Sequence, residues 1–333
     1  MSSLPKQLRK VTDKALLRQL EKGLAEVETA LEVAVSHTDP IAKVTARHLS
    51  SAGGKRVRPT LVLLTAQFGQ TPLAQEIIDA SVVVELTHLA TLYHDDVMDN
   101  APMRRGVPSA HEIWGNSVAI LTGDLLFARA SQVVSRLGER ALTLQANTFE
   151  RLCLGQLHET VGPQEGDERV AHYIQVLADK TGSLIAAAAE LGIMFSGASQ
   201  DYREPVRIYG EKIGVAFQLI DDVIDLQSDS ATSGKTPGTD LLAGVPTLPT
   251  LYLREDALTD APSAALVARI DAVDEASLAS VVAELAAHPA TNRAYEEAKR
   301  WAADAVAALA PLPESAAKQA MIAFAEAVVD RQN

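Results

Sequence analysis

Two aspartate clusters with the same spacing stand out as the residues best suited to chemistry. Asp95, Asp96 and Asp99 form the first and Asp221, Asp222 and Asp225 the second, so both read DDxxD. Around the first, Val82, Leu86, Leu89, Tyr93 and Val97 step by four, three, four and four, which predicts an amphipathic helix. Residues four apart on a helix project together, so Asp95 and Asp99 share a stripe with His88. The second segment repeats the arrangement: Gly214, Gln218, Asp221 and Asp225 step by four, three and four, with Asp222 adjacent. Like charges stacked at i and i+4 cost a few tenths of a kcal/mol on an exposed helix, and more where partly buried. Hard divalent cations would offset that repulsion, since Mg²⁺ is commonly held by one or two carboxylates together with substrate phosphates. A solvated acidic helix end is the plainer reading of one cluster, but two clusters with apolar flanks favour a metal.

Basic residues recur beside the acidic ones. GGKRVRP at 53–59 sets Lys55, Arg56 and Arg58 between a glycine pair and a proline, just ahead of an apolar helix. Glycine lets a backbone approach a ligand closely, arginine offers a two-pronged fork, and a helix N-terminus adds anion affinity. That makes a candidate diphosphate cradle, with a plain basic loop as the alternative. Arg104 and Arg105 follow the first cluster, Lys180 sits in DKTG, and Lys235 sits in SGKTPGTD after the second cluster. Acids that chelate metal beside bases that grip phosphate suggest a metal-bridged diphosphate ligand. His94 points about 100° away from Asp95 and reads as a supporting partner.

Helices must carry these groups. Aromatic residues are 4% of the chain, strand-like alternation is scarce, and Ala/Leu/Glu/Val-rich stretches recur, so the expected class is all-α. Helices are predicted at about 12–36, 59–68, 72–100, 117–135, 139–160, 168–196, 204–229, 246–253, 263–287 and 291–331, the last broken near Pro311 and Pro313. Loops are predicted at 51–54, 69–71, 102–108, 162–167, 197–201 and 230–244. No long, composition-shifted linker separates them, which predicts one large bundle over 1–333 rather than tethered domains. The most apolar run, 183–197, is interrupted by Glu190 and is too short to span a bilayer.

The 333 residues are 47% hydrophobic and 22% charged, as expected of a globular protein. Lys+Arg 30 against Asp+Glu 43 gives a net charge of −13, which argues against a surface built to hold nucleic acid or anionic lipid. Cys153 is the only cysteine, and MSSLPKQLRK lacks the apolar core of a secretory signal, so the expected compartment is the cytosol.

Taken together, these segments resemble the trans-isoprenyl diphosphate synthases, the polyprenyl synthetase family. The matching elements are GGKRVRP at 53–59, HLATLYHDDVMDNAPMRRG at 88–106, WGNSVAILTGDLLFARA at 114–130, DKTGSLI at 179–185, and GVAFQLIDDVIDL with SGKTPGTDLLAGVPTLP within 214–249. The resemblance implies an all-α bundle around a deep cavity, usually dimeric, with the aspartate clusters facing each other at its mouth. It also implies that Asp95, Asp99 and Asp221 ligate Mg²⁺, for which Mn²⁺ can substitute, with Asp96, Asp222 and Asp225 as supporting carboxylates. Arg104, Lys180, Lys235 and Asp240 would complete the allylic diphosphate site. Lys55, Arg58, His88 and Arg105 would hold isopentenyl diphosphate, with Arg56 close by, and Thr181 and Gln218 would line the developing carbocation. Many relatives carry a lysine where this chain has Val245, so one cation of the allylic clamp is missing or supplied elsewhere.

Such a site works by neutralising a leaving diphosphate, so that the allylic C–O bond ionises and the cation alkylates isopentenyl diphosphate. The family mechanism gives the lost proton to the departing diphosphate, which agrees with the lack of an obvious Ser/His/Asp or Cys/His set. Thr87, Ala90 and Thr91 precede Asp95 by one to two turns, and none is bulky. Short-chain relatives typically close the pocket with an aromatic residue at the position of Ala90, so a hexaprenyl to decaprenyl product is expected. A farnesyl or geranylgeranyl synthase is the alternative. A terpene cyclase would need no second DDxxD or GGKRVRP loop. A non-catalytic partner subunit of a heteromeric synthase would be expected to have lost such residues.

Overall fold

Asp13 opens the first helix by accepting the Ala15 and Leu16 amides at 2.6 and 3.3 Å, which satisfies two of the donors a helix start leaves unpaired. The computed structural model describes residues 13–36, 39–227 and 237–330. In chain order the helices are α1 (Lys14–Ala34), α2 (Pro40–Ser51), α3 (Val57–Thr65), α4 (Gln75–Met98), α5 (Ala110–Trp114), α6 (Asn116–Val134), α7 (Glu139–Val161), α8 (Arg169–Leu177), α9 (Ser183–Phe195), α10 (Arg203–Gln227), α11 (Thr239–Leu242), α12 (Leu248–Asp256), α13 (Ala261–Asp271), α14 (Leu278–Ala287), α15 (Pro289–Ala308) and α16 (Ala316–Val329). The protein is all-α. Among the described residues the only sheet is a two-residue antiparallel ribbon, β1 (Met103–Arg104) with β2 (Val107–Pro108), pairing Met103 with Pro108 and Arg104 with Val107.

Three departures from the sequence reading have physical causes. Helix α2 is additional: Asp39 accepts the Ala42 amide at 2.9 Å and Pro40 occupies the first turn, where its missing N–H costs nothing. The helix expected over 168–196 is α8 and α9 joined by a π-helical turn at Ala178–Gly182. The helix expected over 263–287 breaks between α13 and α14, where Asp274 and Ser277 exchange backbone-to-side-chain hydrogen bonds at 3.1 and 2.9 Å.

The chain forms two compact units. The first takes in the described parts of 1–150, 184–210 and 308–324. Its centre is α4, where Ile77, Val83, Leu86, Leu89 and Tyr93 are wholly buried. Burying each such side chain stabilises the fold by about 1.5–3 kcal/mol. The amphipathic pattern expected around the first cluster holds only near the end of α4, because most of the helix is buried on all sides. Helix α6 lies along α4: a Cβ on Gly123 would stand 2.3 Å from His94 Nε2 and 3.1 Å from the Ala90 carbonyl oxygen. With its 3₁₀ extension, Asn116–Leu137 is the one helix among the described residues long and apolar enough to cross a membrane by length and composition.

The second unit takes in 151–183, 211–307 and the described part of 325–333. Val215, Leu219, Ile220 and Val223 of α10 pack with Leu248, Ala294 and Ala298. A further cluster joins Leu253 to Val281 and Leu285.

Candidate functional site

In the first unit, the basic loop hangs on the end of α2. A helix leaves its last carbonyls unpaired, and arginines take two of them here: Arg56 Nη2 donates to the Ser50 carbonyl at 3.2 Å and Arg105 Nη1 to that of Leu49 at 3.1 Å. Arg105 also donates to the Gly53 carbonyl. Tyr93 of α4 fixes α2 by donating its hydroxyl to the Thr45 carbonyl at 2.5 Å and accepting the Leu49 amide at 3.2 Å. Burial raises the Tyr93 phenol to about 12.

Among the described residues, only Arg56, Asn100 and Arg105 combine a side chain with positive φ, at 47°, 49° and 53°. Such strain collects at functional loops. Arg105 and Gly106 (φ 78°) form the two-residue turn of the β1–β2 ribbon, the conformation of a type I′ hairpin, which carries Arg104 and Arg105.

The arginines differ in what they have left to offer. Arg56, with a side chain 1% exposed, donates Nε to Glu28 at 2.6 Å and Nη1 to Glu85 at 2.6 Å. Burial works against its charge, yet these carboxylates more than compensate and raise its pKa. The guanidinium is engaged by Glu28, Glu85 and the Ser50 carbonyl, so Arg56, expected close by the diphosphate, anchors the loop. Arg58 is different, because its buried Nε has no hydrogen-bond partner. Burial lowers its pKa to about 10, with Arg105 adding to the effect and Glu85 opposing it. Glu85, 2% exposed, also lies 3.7 Å from Arg105 Nη2. His88 stays neutral: burial, then the fields of Arg58, Arg105 and Arg104, push its pKa well below 6.5. Lys55 is exposed. Sequence reasoning missed Glu85 and Glu28 because nothing in their spacing ties them to the loop.

The first aspartate cluster lies at the end of α4, whose last turn holds no basic residue and whose C-cap is Asp99. That is the negative end of the helix dipole, so the cluster is unfavourable without a cation. Asp95 is half-buried and Asp99 exposed. Asp96 is fully buried and accepts from Arg104 Nε at 2.6 Å, while its Oδ2 is buried without a hydrogen-bond partner. Two residues predicted for separate roles thus hold each other. Thr87 and Ala90 are buried and Thr91 is half-buried. Thr87 donates to the Val83 carbonyl at 2.8 Å and accepts from Gln145 at 2.8 Å.

In the second unit, α10 exposes Asp221, half-buries Gln218 and Asp225, and buries Asp222. Asp222 Oδ2 accepts the Tyr173 hydroxyl at 2.6 Å and the Leu248 amide at 3.1 Å. Burial raises its pKa to about 7 despite those bonds, with Asp240 and Asp221 adding repulsion. The Asp225 carbonyl and side chain accept from the Gly238 amide at 3.1 Å and the Thr239 hydroxyl at 3.3 Å, bringing α11 and its half-buried Asp240 to the cluster. The exposed Val245 donates its amide to the Asp240 carbonyl at 2.9 Å. Lys235 lies outside the described residues. Lys180 and Thr181 occupy the π turn, both half-buried, and Lys180 pairs with Glu159.

The chain is similar to known proteins over most of its length. The sequence profile of the polyprenyl synthetase family matches residues 39–285. The nonaprenyl diphosphate synthase of Mycobacterium tuberculosis is 42% identical over 319 residues, covering 96% of this chain and 95% of the relative. Geranylgeranyl pyrophosphate synthase from Corynebacterium glutamicum, crystallised with calcium and isoprenyl diphosphate, superposes with a TM-score of 0.85 at 39% identity, covering 97% of this chain and 99% of that one. A decaprenyl diphosphate synthase from Rhodobacter capsulatus gives a TM-score of 0.85 at 32% identity, covering 95% and 98%. The chain belongs to the polyprenyl synthetase family of prenyltransferases.

Proposed function

We propose that this chain is a trans-polyprenyl diphosphate synthase that condenses an allylic prenyl diphosphate with successive isopentenyl diphosphates to a medium or long product. The observation that carries the reading is the cluster of Arg58 and Arg105 with the neutral His88 beside Glu85, in which the buried Arg58 Nε has no hydrogen-bond partner. Buried cations kept apart from full neutralisation are suited to a polyanion. Lys55, Arg58, His88 and Arg105 bind isopentenyl diphosphate, the neutral imidazole adding a hydrogen bond without competing charge. Arg56 keeps the loop in its strained conformation.

The carboxylates fit Mg²⁺ or Mn²⁺. Asp95 and Asp99 stand one turn apart at a helix end that lacks basic residues, and the buried Asp96 Oδ2 lacks a hydrogen-bond partner. Mg²⁺ is commonly held by one or two carboxylates together with substrate phosphates. Asp95 and Asp99 in the first unit and Asp221 in the second would hold the metal ions, which would supply charge neutralisation to a leaving diphosphate. Arg104, Lys180, Lys235 and Asp240 bind and orient the allylic diphosphate, and Thr181 and Gln218 line the cation. Asp96 holds Arg104, and Asp222 holds Tyr173 and the start of α12. Asp225 tethers α11.

Residues 1–333 work as one functional domain. The enzyme works as a homodimer in the cytosol. Ile120 and Leu121 of α6 and Leu142 and Phe149 of α7 are exposed apolar side chains, which supports contact with a second copy. Incubating the purified chain alone with isopentenyl diphosphate and several allylic primers, then sizing the products, tests the proposal. Products of hexaprenyl length or longer are expected; no product from the chain alone would point to a partner subunit.

A further inference from the structure

The π turn at Ala178–Gly182 is a rare conformation, since it adds a residue to one helical turn and rotates everything beyond it. Its neighbours in the second unit are shaped to it. A Cβ on Gly155 of α7 would lie 2.7 Å from the Lys180 amide nitrogen, and a Cβ on Gly182 would lie 3.0 Å from the Glu211 carbonyl oxygen of α10. Between them Arg151 of α7 spans the turn. Its Nε donates to Asp179 Oδ1 at 2.7 Å and its Nη1 to Glu211 Oε2 at 2.7 Å. The second Asp179 oxygen accepts from Gln175 at 2.8 Å, and the Asp179 carbonyl accepts the Ser183 hydroxyl at 2.5 Å.

We infer that Arg151, Asp179 and Glu211 are positioning residues: they clamp the π turn, and the turn sets where Lys180 and Thr181 are presented. Three separate features converge on this five-residue segment, namely the forked arginine, the glycine that admits the Lys180 amide, and the second glycine against α10. Arginine is needed because its planar fork addresses two carboxylates from one head, whereas an ammonium is a single point charge. Relaxing the turn to α-helix would shift the register by one residue and turn its two flanks relative to one another by about 100°, the angle per residue, which would re-aim Lys180 and Thr181. The inference rests on the reading of Lys180 and Thr181 as allylic-site residues. It assigns the clamp to the primer and not to isopentenyl diphosphate.

The test compares Arg151→Met, Arg151→Lys and Gly155→Ala with the wild-type chain. Two readouts are used: kcat with KM for each substrate, and the Kd of farnesyl thiodiphosphate, an unreactive allylic analogue. Displacement of a positioning group by about 1 Å costs on the order of 100-fold in rate, so Arg151→Met and Gly155→Ala should lose at least about tenfold in kcat. They should bind the thiodiphosphate several-fold more weakly while KM for isopentenyl diphosphate stays within about twofold. Arg151→Lys should recover part of the loss. If Arg151→Met does not fold, the other two variants decide. Folded variants with kcat and thiodiphosphate affinity within about twofold of wild type would overturn the clamp, as would an equal rise in KM for isopentenyl diphosphate. A wild-type chain without turnover would count against the function proposed above, and the thiodiphosphate affinities would still decide the clamp.

Discussion

Glu85→Gln tests whether the basic loop is built on a buried counter-charge. Glu85 is 2% exposed and accepts from Arg56 Nη1 at 2.6 Å, with Arg105 Nη2 3.7 Å away. Removing one partner of a buried ion pair costs about 3–5 kcal/mol, because the other charge is left buried. Glutamine keeps an acceptor oxygen and Arg56 keeps Glu28, so the lower end, about 3 kcal/mol, is expected. At about 2–4 °C per kcal/mol for domains of 150–250 residues, and less for a longer chain, the melting temperature should fall by roughly 5 °C. Thermal melts followed by circular dichroism read the change directly. The difference should persist in 0.5 M salt, because buried pairs are poorly screened, and should shrink when inorganic diphosphate supplies negative charge to the cluster. A fall below about 1 °C, or one abolished by salt, would refute the reasoning.

Arg58→Ala removes a charge-assisted bond worth roughly 1.5–3 kcal/mol, so KM for isopentenyl diphosphate should rise roughly ten- to hundredfold while KM for the primer changes little. His88 gives a pH dependence of stability. Its folded pKa is depressed, so below pH 6.5 the unfolded chain takes up a proton that the folded chain refuses, and stability is lost as pH falls through 6.5. Unfolding free energies from urea melts at pH 7 and pH 5.5 should fall less on acidification in His88→Gln, by up to about 1.4 kcal/mol per pH unit for one group. Ala90→Phe should shift products towards farnesyl or geranylgeranyl diphosphate. A Tm measurement accompanies it, because overpacking a buried site costs about 1–3 kcal/mol.

Features encoded by local spacing were legible in the sequence. DDxxD at i and i+4, the helix frame, and the break between α15 and α16 near Pro311 and Pro313 all depend on neighbours within a turn or two. Helix α2 carried a readable signal, Asp39 before Pro40, that the periodicity reading passed over. The anchoring of Arg56 was not legible because its partners Glu28 and Glu85 lie 28 and 29 residues away, and a guanidinium bound to protein looks the same in sequence as one awaiting phosphate. The π turn was invisible for the same reason. Residues 169–195 are compatible with one helix, and the extra residue is fixed by Arg151, Gly155 and Glu211 from other helices.

The central claim is that this chain alone joins isoprene units through a metal-assisted ionisation. Incorporation of labelled isopentenyl diphosphate into extractable prenyl products, by pure protein with Mg²⁺ and an allylic primer, tests it most directly when run beside EDTA-treated enzyme, Asp95→Ala and Asp221→Ala. The account predicts products of hexaprenyl length or longer with Mg²⁺. It also predicts their disappearance in EDTA and losses of several orders of magnitude in both folded variants. Undiminished incorporation in EDTA, or near-normal turnover by either aspartate variant, would contradict it.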